Sequence, residues 1–230
     1  MRKTYILTKS KYIRGLQCEK ALHLEVNKPK LAKYPPETLE RFQHGRDFEK
    51  SFKDTFPHGT DISSLLGFRM DAYPTRTAAL LQKIGAATLF EAGFLFDEIL
   101  ILADVVDKHA DGTIDIYEVK NSTAVSDTFR NDLAIQYHVV HNALNAVQPH
   151  GLFNQHLTIR HFYIVYNNGQ DGFVKEDLLE QAISAGETIE TNIVRFKKVL
   201  AGSEPSRPMG AHCTTPYECP FQHYCNTLAQ

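Results

Sequence analysis

Three charged residues between positions 99 and 120 have types and spacing that suit chemistry on a phosphate. Asp104 interrupts the apolar run ILILADVV, while Glu118 and Lys120 stand two residues apart and would share one face of a strand. Two carboxylates can hold a hard divalent cation, and an ammonium group beside them can neutralise a phosphate. Such a loose triplet also arises by chance on solvated hairpins, but an acid inside an apolar run is costly to bury unless it is paired or metal-bound.

The segments that carry these residues are predicted to form a three-stranded meander. Strands are expected over Ile99–Asp107, which is almost continuously apolar, and over Thr113–Lys120, with an Asp-Gly turn between them. The segment Ala87–Phe96 is predicted to be the preceding strand, and Glu91 is its only charge. The hairpin would bring the three charged residues together at the edge of a sheet.

Helices are predicted on both sides of the meander, and two of them carry a polar residue on the packed face. The helix Glu37–Phe56 has Glu49 in its apolar stripe, and a helix from about 126 to Val147 has Gln136 in its own. The Glu49 carboxylate could also reach solvent, and a buried glutamine often satisfies only a backbone group. The other predicted elements are a helix from Thr8 or Ser10 to about Val26 with Cys18 in its middle, a strand at Leu157–Asn167, a helix at roughly Lys175–Leu200 and a loop at Gly202–Thr215.

The composition is that of an ordinary globular protein, with 230 residues, 43% of them hydrophobic, and one domain is expected. No apolar run approaches the ~20 residues that span a bilayer, and the basic start lacks a signal-peptide core. We therefore expect a cytoplasmic protein without membrane association. The net charge is −2, yet residues 1–33 hold nine Lys or Arg against two acids, a segment that could grip phosphates or be a solvated basic helix. The sequence has no Gly-rich phosphate loop and no G-x-S-x-G elbow, so it gives no support to an NTPase or a serine hydrolase.

Four cysteines could form a single site: Cys18 near the start, and Cys213, Cys219 and Cys225 near the end. Disulfides are not expected in a cytosolic chain of this size. Zinc sites usually pair cysteines at spacings of ~2–4 residues, which the two gaps of five residues fit poorly. An iron–sulfur cluster also takes four thiolates. The spacing alone leaves a cluster, zinc and inert thiols open.

Taken together, these motifs resemble the RecB-like nucleases of the PD-(D/E)xK superfamily, near the CRISPR-associated iron–sulfur exonucleases and their stand-alone relatives. The resemblance spans nearly the whole chain, and the split one-plus-three cysteine pattern beside D…ExK…Q is more specific than either part alone. The matching segments are Leu16-Gln17-Cys18-Glu19-Lys20, Gly45, Thr88-Leu89-Phe90-Glu91, Ala103-Asp104-Val105, Glu118-Val119-Lys120, Asp132-Leu133-Ala134-Ile135-Gln136-Tyr137 and Cys219-Pro220-Phe221-x-x-x-Cys225.

The resemblance implies an α/β fold with a restriction-endonuclease-like core, in which helices flank a mixed central sheet. This PD-(D/E)xK core would cover residues 36–204 within a single nuclease domain of residues 1–230. The two chain ends, residues 1–35 and 205–230, would form an iron–sulfur subdomain that closes around DNA. All four cysteines would hold its [4Fe–4S] cluster.

The resemblance also implies a site for Mg²⁺ or Mn²⁺. Asp104 and Glu118 would be ligands, together with the backbone carbonyl of Val119. Such nucleases often have a metal-binding His four residues after the glycine of the first motif, where this chain has Glu49. We hypothesise that Glu49 takes that ligand position, which a hard cation would accept. Glu91 is a second candidate for completing the shell.

The remaining catalytic roles implied by the resemblance fall to Lys120, Gln136 and Tyr137. Lys120 would position the attacking water or stabilise charge on the phosphate, and the other two would orient the lysine or the DNA. The predicted function is metal-dependent hydrolysis of DNA, preferentially single-stranded, by an exonuclease whose residues 1–33 grip phosphates. A protein partner in a DNA repair or CRISPR adaptation complex is also expected. A catalytically weak or inactive iron–sulfur DNA-binding scaffold and a zinc-stabilised interaction module are the alternatives.

Overall fold

The computed structural model describes residues 5–146, 151–170 and 172–228. Within these residues the strands are β1 (Leu7–Thr8), β2 (Thr60–Asp61), β3 (Ala87–Phe96), β4 (Ile99–Lys108), β5 (Thr113–Lys120), β6 (Thr158–Asn167) and β7 (Phe173–Asp177). The helices are α1 (Lys9–Gln17), α2 (Glu19–Asn27), α3 (Pro36–Lys53), α4 (Ile62–Leu66), α5 (Tyr73–Leu81), α6 (Asp127–Asn145), α7 (Leu179–Ser184), α8 (Gly186–Ala201) and α9 (Gln222–Leu228).

The strands form one mixed sheet in the order β2-β3-β4-β5-β6-β7, and β1 pairs with the beginning of β4. The meander β3-β4-β5 is antiparallel, as predicted from its apolar runs and the Asp-Gly turn. Strands β5 and β6 run parallel, and α6 connects them as the crossover that a parallel pair requires. The prediction of an α/β fold with a mixed central sheet flanked by helices is confirmed.

Helices cover both faces of the sheet, so the central strands are buried on both sides. On one face α3 packs through Phe52 against Val105, Tyr117 and Val119. On the other face α1, α5, α6 and α8 enclose the main core, which includes Tyr12, Leu81, Ile135 and Phe196. Because β4 and β5 contribute residues to both clusters, the predicted hairpin lies in the middle of the sheet, not at its edge.

Three further predictions about elements were wrong. The first helix is interrupted at Cys18, whose φ of −162° and ψ of 115° are extended, so α1 and α2 are separate. The segment beginning at Lys175 is not helical at first, because Phe173–Asp177 pairs with β6 as β7. On α3 the apolar stripe was predicted to include Leu39, Phe42 and Phe52, but only Phe52 of these three is buried, and Leu39 and Phe42 are exposed to solvent. Val147, the predicted end of the helix from about 126, lies outside the described residues. None of the described helices is long and apolar enough to cross a membrane.

Candidate functional site

The sheet is distorted at one opposing pair of residues, Glu91 on β3 and Asp104 on β4. The β3–β4 ladder is regular on both sides of this pair but omits it. Glu91 has a φ of +53°, in the left-handed region that side chains other than glycine adopt with strain. On β4, Ala103 and Val106 both face the main core, so the strict alternation along the strand breaks between them. On β3, Phe90 and Ala92 face opposite sides of the sheet, so the alternation along that strand also breaks at Glu91. We call this distortion of the two strands the kink.

Strands β4 and β5 separate beside this kink. Their pairing runs from Lys108 opposite Ile114 to Val105 opposite Tyr117 and then stops. In the space that opens, the backbone N–H of Val119 donates a hydrogen bond to Asp104 Oδ2 over 2.8 Å. The sequence predicted a role for Val119 through its carbonyl, whereas the recorded contact to Asp104 is made by its N–H.

Three carboxylates meet at the kink. One oxygen each from Glu49 on α3, Glu91 and Asp104 lie within 4.8 Å of one another. Lys53, one turn after Glu49 on α3, forms ion pairs with Glu49 and with Glu91, the second at 2.6 Å. Carboxylate oxygens are the donors that Mg²⁺ and Mn²⁺ prefer, so the residues present fit a hard divalent cation.

Glu118 and Lys120 lie next to this group, on the side of β5 that faces α6. The Lys120 ammonium contacts the Glu118 carboxylate and lies 2.6 Å from Asp132 Oδ2 on α6. Gln136 Nε2, one turn after Asp132, donates to Glu118 Oε2 over 2.8 Å. Gln136 Oε1 is buried and has no hydrogen-bond partner among the described residues. The structure therefore brings together the residues predicted from D…ExK…Q.

Two lysines and one acid at the site were missed by the sequence analysis. Lys9 Nζ, at the start of α1, lies 2.7 and 2.9 Å from the two oxygens of Glu118. Asp132 could have been found, because it precedes Gln136 by one helical turn and shares its face. Lys53 follows Glu49 at the same spacing. No local pattern points to Lys9, since it reaches Glu118 across 109 residues of sequence.

Tyr137 is not brought to the carboxylates. Its hydroxyl lies 3.4 Å from His141 Nδ1, and its ring packs edge-on against Phe162. Tyr137 directly follows Gln136 in α6, so the two side chains leave the helix in different directions. The contacts recorded for Tyr137 are those of a packing residue.

Charge pairing sets the protonation of the buried groups. Burial lowers the pKa of Lys120, but the charges of Asp132 and Glu118 outweigh burial and place the pKa well above its usual value. Burial also opposes the charged form of Lys9, yet the charges of Glu118, Asp132 and Asp104 together outweigh burial and raise the Lys9 pKa. Both lysines are therefore cations at neutral pH. Lys120 suits stabilisation of a negative charge rather than removal of a proton.

The carboxylates divide into two kinds. Burial would raise the pKa of Glu118, but Lys120 and Lys9 outweigh it and hold that pKa well below its ordinary value. Among the described residues no lysine contacts Asp104, and its burial, with the nearby charge of Glu118, raises its pKa to about 7. Burial likewise raises the pKa of Glu49. At neutral pH Asp104 is therefore only partly ionised, and a cation bound at the kink would favour the ionised form of these carboxylates.

All four cysteines are free thiols that line one small cavity between the two chain ends. Cys18 sits at the extended break between α1 and α2, and Cys219 donates its N–H to the carbonyl of Cys213 over 2.8 Å. No three of these four described sulfurs lie within 4.8 Å of one another. Tetrahedral zinc with bonds of ~2.3 Å would hold sulfurs about 3.8 Å apart, closer than any three of these four described sulfurs lie to one another.

Comparisons with known proteins establish a fold but no family. No protein-family model and no curated protein sequence matches the chain. The solved structure of SSO0001 is similar, with a TM-score of 0.50 and 13% sequence identity, over 99% of this chain and 88% of that one. At this identity the likeness concerns the α/β architecture alone.

Proposed function

We propose that this protein is a metal-dependent deoxyribonuclease of the RecB-like PD-(D/E)xK kind. The observation that carries the proposal is the meeting of Glu49, Glu91 and Asp104, with oxygens within 4.8 Å of one another, beside the cationic Lys120. Carboxylates for a cation and an ammonium for a phosphate are what hydrolysis of a phosphodiester needs. Single-stranded DNA is the proposed substrate, and cleavage from an end is the expected mode.

The residues around the site have separable tasks in this proposal. Glu49, Glu91 and Asp104 would hold Mg²⁺ or Mn²⁺, which when bound polarises the phosphate and acidifies water. Lys120 would stabilise the charge that grows on the phosphate oxygens, because it stays protonated. Glu118 and Asp132 both form ion pairs with the Lys120 ammonium and so would orient it.

We propose that the cysteine cavity holds a [4Fe–4S] cluster through Cys18, Cys213, Cys219 and Cys225. The thiols come from both chain ends, so the cluster would close an iron–sulfur subdomain of residues 1–35 and 205–230 onto the core of residues 36–204. Protein purified without oxygen should be brown and contain equal amounts of iron and sulfide. A colourless protein with stoichiometric zinc would favour the zinc-stabilised interaction module instead.

The test of the nuclease is hydrolysis of end-labelled single- and double-stranded DNA with Mg²⁺, Mn²⁺ or EDTA. Asp104→Asn and Glu118→Ala should each lower the rate by about a hundredfold or more, the scale of losing one preorganised electrostatic group. Asp107→Asn is the matched control, because Asp107 lies on the same strand but bonds to Thr88, away from the site. Undiminished hydrolysis by the Asp104 and Glu118 variants would contradict the proposal.

A DNA-binding scaffold without hydrolysis is the second candidate. Two contacts favour the scaffold. Lys9 and Lys120 both bind the Glu118 carboxylate, which leaves this carboxylate less open to a cation. The scaffold predicts salt-sensitive DNA binding and no cleavage with either metal. A role in DNA repair or CRISPR adaptation, with a protein partner, is proposed for either activity.

A further inference from the structure

A groove of about 700 Å³ opens beside the proposed catalytic residues. Its walls come from α1, the first half of α3, the loop after β5, the start of α6 and the segment around Tyr217. Lys9, Lys120 and Asp132 are among its lining residues, so the groove is continuous with the site. A long substrate that contacts Lys120 from this side would lie against these walls.

Two aromatic rings on one wall of the groove are open to solvent. Tyr34 is 39% exposed and Phe42, in the first half of α3, is 45% exposed. Their ring centroids lie 6.1 Å apart at an angle of 64°, so they pack against each other. Large apolar rings usually gain most by burial, and leaving both open costs apolar contact area. A flat apolar ligand that covers them would recover this area.

The charges of the groove do not account for binding a polyanion. Its lining holds four cationic and four anionic side chains, namely Lys9, Arg14, Arg41, Lys120, Glu37, Glu40, Asp132 and Glu218. Two further basic residues of segment 1–33, Lys20 and Lys28, pair with Glu204 outside the groove. Phosphate contacts alone would give weak binding in so balanced a groove. Another interaction must contribute the affinity.

We propose that Tyr34 and Phe42 form a stacking platform for unpaired nucleobases. Base stacking on aromatic rings tolerates every sequence, since each base has a π-face, and the Phe42 ring offers no polar group to read base identity. Paired bases in a duplex keep their faces stacked on each other, so the platform selects single strands. This inference rests on the proposed nuclease function, because it assumes that a DNA strand lies in the groove.

The direct test uses the absence of tryptophan from the sequence. Phe42→Trp introduces a single tryptophan into the groove, and binding of an oligothymidylate in EDTA, which prevents cleavage, should quench its fluorescence. Leu39→Trp is the matched control, since Leu39 is 53% exposed on the same helix but does not line the groove. Its fluorescence should not change. An oligonucleotide of abasic sites should quench neither variant.

Affinity gives a second measurement. Tyr34→Ala and Phe42→Ala should each weaken oligothymidylate binding by about 5- to 100-fold, the range for one base stacked on one ring. Leu39→Ala should leave the Kd within twofold. Unchanged affinity in both ring variants, or equal quenching of both tryptophans, would overturn the platform.

The outcomes also separate this inference from the proposed function. If the wild-type protein hydrolyses DNA while the ring variants bind normally, the platform is wrong and the nuclease stands. If the ring variants lose affinity but no variant or wild-type protein cleaves DNA, the platform stands and the nuclease falls.

Discussion

Lysine side chains offset much of the negative charge of the candidate site. Lys9 and Lys120 share Glu118, and Lys53 bridges Glu49 and Glu91. Lys53 therefore forms ion pairs with two of the three carboxylates that are candidates for binding a divalent cation. A cation that binds there must compete with an ammonium already in contact with its ligands.

Removal of Lys53 should strengthen metal binding. Lys53→Met leaves Glu49 and Glu91 without their cation, so the affinity for Mn²⁺, measured by calorimetry, should rise about tenfold or more, or ~1.4 kcal/mol. Lys50→Met is the control on the same helix, because Lys50 is exposed and, in the part of the chain that the structure describes, pairs only with Asp54. Weaker binding in Lys53→Met would mean that Lys53 holds the ligands in place instead.

Asp115 carries a pH dependence that is independent of the candidate site. It is buried on β5, and Arg160 contacts both of its oxygens, at 2.9 and 2.6 Å, while His109 lies 3.0 Å away. Burial alone would raise the pKa of Asp115, but the hydrogen bonds from Arg160 and His109 outweigh burial and lower it. Ionised Asp115 thus stabilises the folded state above its unfolded pKa of ~3.9. This stability is lost as the pH falls toward the folded pKa.

Asp115→Asn should therefore be destabilising at neutral pH and less so in acid. The expected loss at pH 7 is about 1–3 kcal/mol, the scale of hydrogen bonds to a charged group. Urea unfolding at pH 7, 5 and 3.5 should give a difference that shrinks below pH ~4. Glu190→Gln, at an exposed position beyond the first turn of α8, should change stability little at any pH. A difference for Asp115→Asn that is constant with pH would contradict this account.

Helix α1 approaches α8 closely because Gly15 has no side chain. A Cβ on Gly15 would lie 2.8 Å from atoms of the Phe196 ring, which is fully buried and packs edge-on against Tyr12 at 5.4 Å. The ring cannot withdraw without disturbing the main core. The contact matters for the candidate site, since α1 also carries Lys9.

Gly15→Ala and Gly45→Ala should change stability in opposite directions. Gly15→Ala overpacks the contact between α1 and α8 and should cost about 1–3 kcal/mol. Gly45 lies in α3 with nothing within 4 Å of an added Cβ. Gly45→Ala should therefore stabilise the protein by about 0.5–1 kcal/mol through helix propensity. The midpoints of denaturant unfolding test both, and a loss of stability in Gly45→Ala would show a tighter environment there.

The whole molecule brings its two chain ends together at the cysteine cavity. Glu204 adds a second link, since it accepts a hydrogen bond from Lys28 at 2.8 Å and from Tyr224 at 3.1 Å. A metal group bound by Cys18 and the three later cysteines would stabilise the folded chain over the unfolded one, because the unfolded chain lacks the preformed site.

Cys225→Ser should lower the iron and sulfide content and reduce thermal stability. We expect the variant to lose about 2–3 kcal/mol of unfolding free energy, which for a chain of this size lowers the Tm by about 5–10 °C. Asn226→Ala, an exposed neighbour on α9, should retain the metal and the Tm. If Cys225→Ser keeps the Tm and the metal content of the wild type, the cysteines do not hold a shared metal group.

Local pattern predicted the elements that carry most of the candidate site. The strands β3, β4 and β5 follow from apolar runs and turn residues, and Gln136 follows from its place in a helical stripe, because these patterns repeat within a few residues. The region after Asp171 was predicted wrongly because the prediction used local pattern alone. Helical periodicity downstream was extended back over Lys175–Asp177, whose pairing with β6 as part of β7 depends on a partner elsewhere in the chain.

The sequence by itself determined which residue types could act and which elements carry them. The tertiary structure alone decided which of them meet. The kink at Glu91 and Asp104, the divergence of β4 from β5 and the approach of Lys9 to Glu118 all arise from the order of strands in the sheet and the packing of helices on it. Contacts between residues about a hundred positions apart leave no periodic trace, so they appear only when the chain is folded.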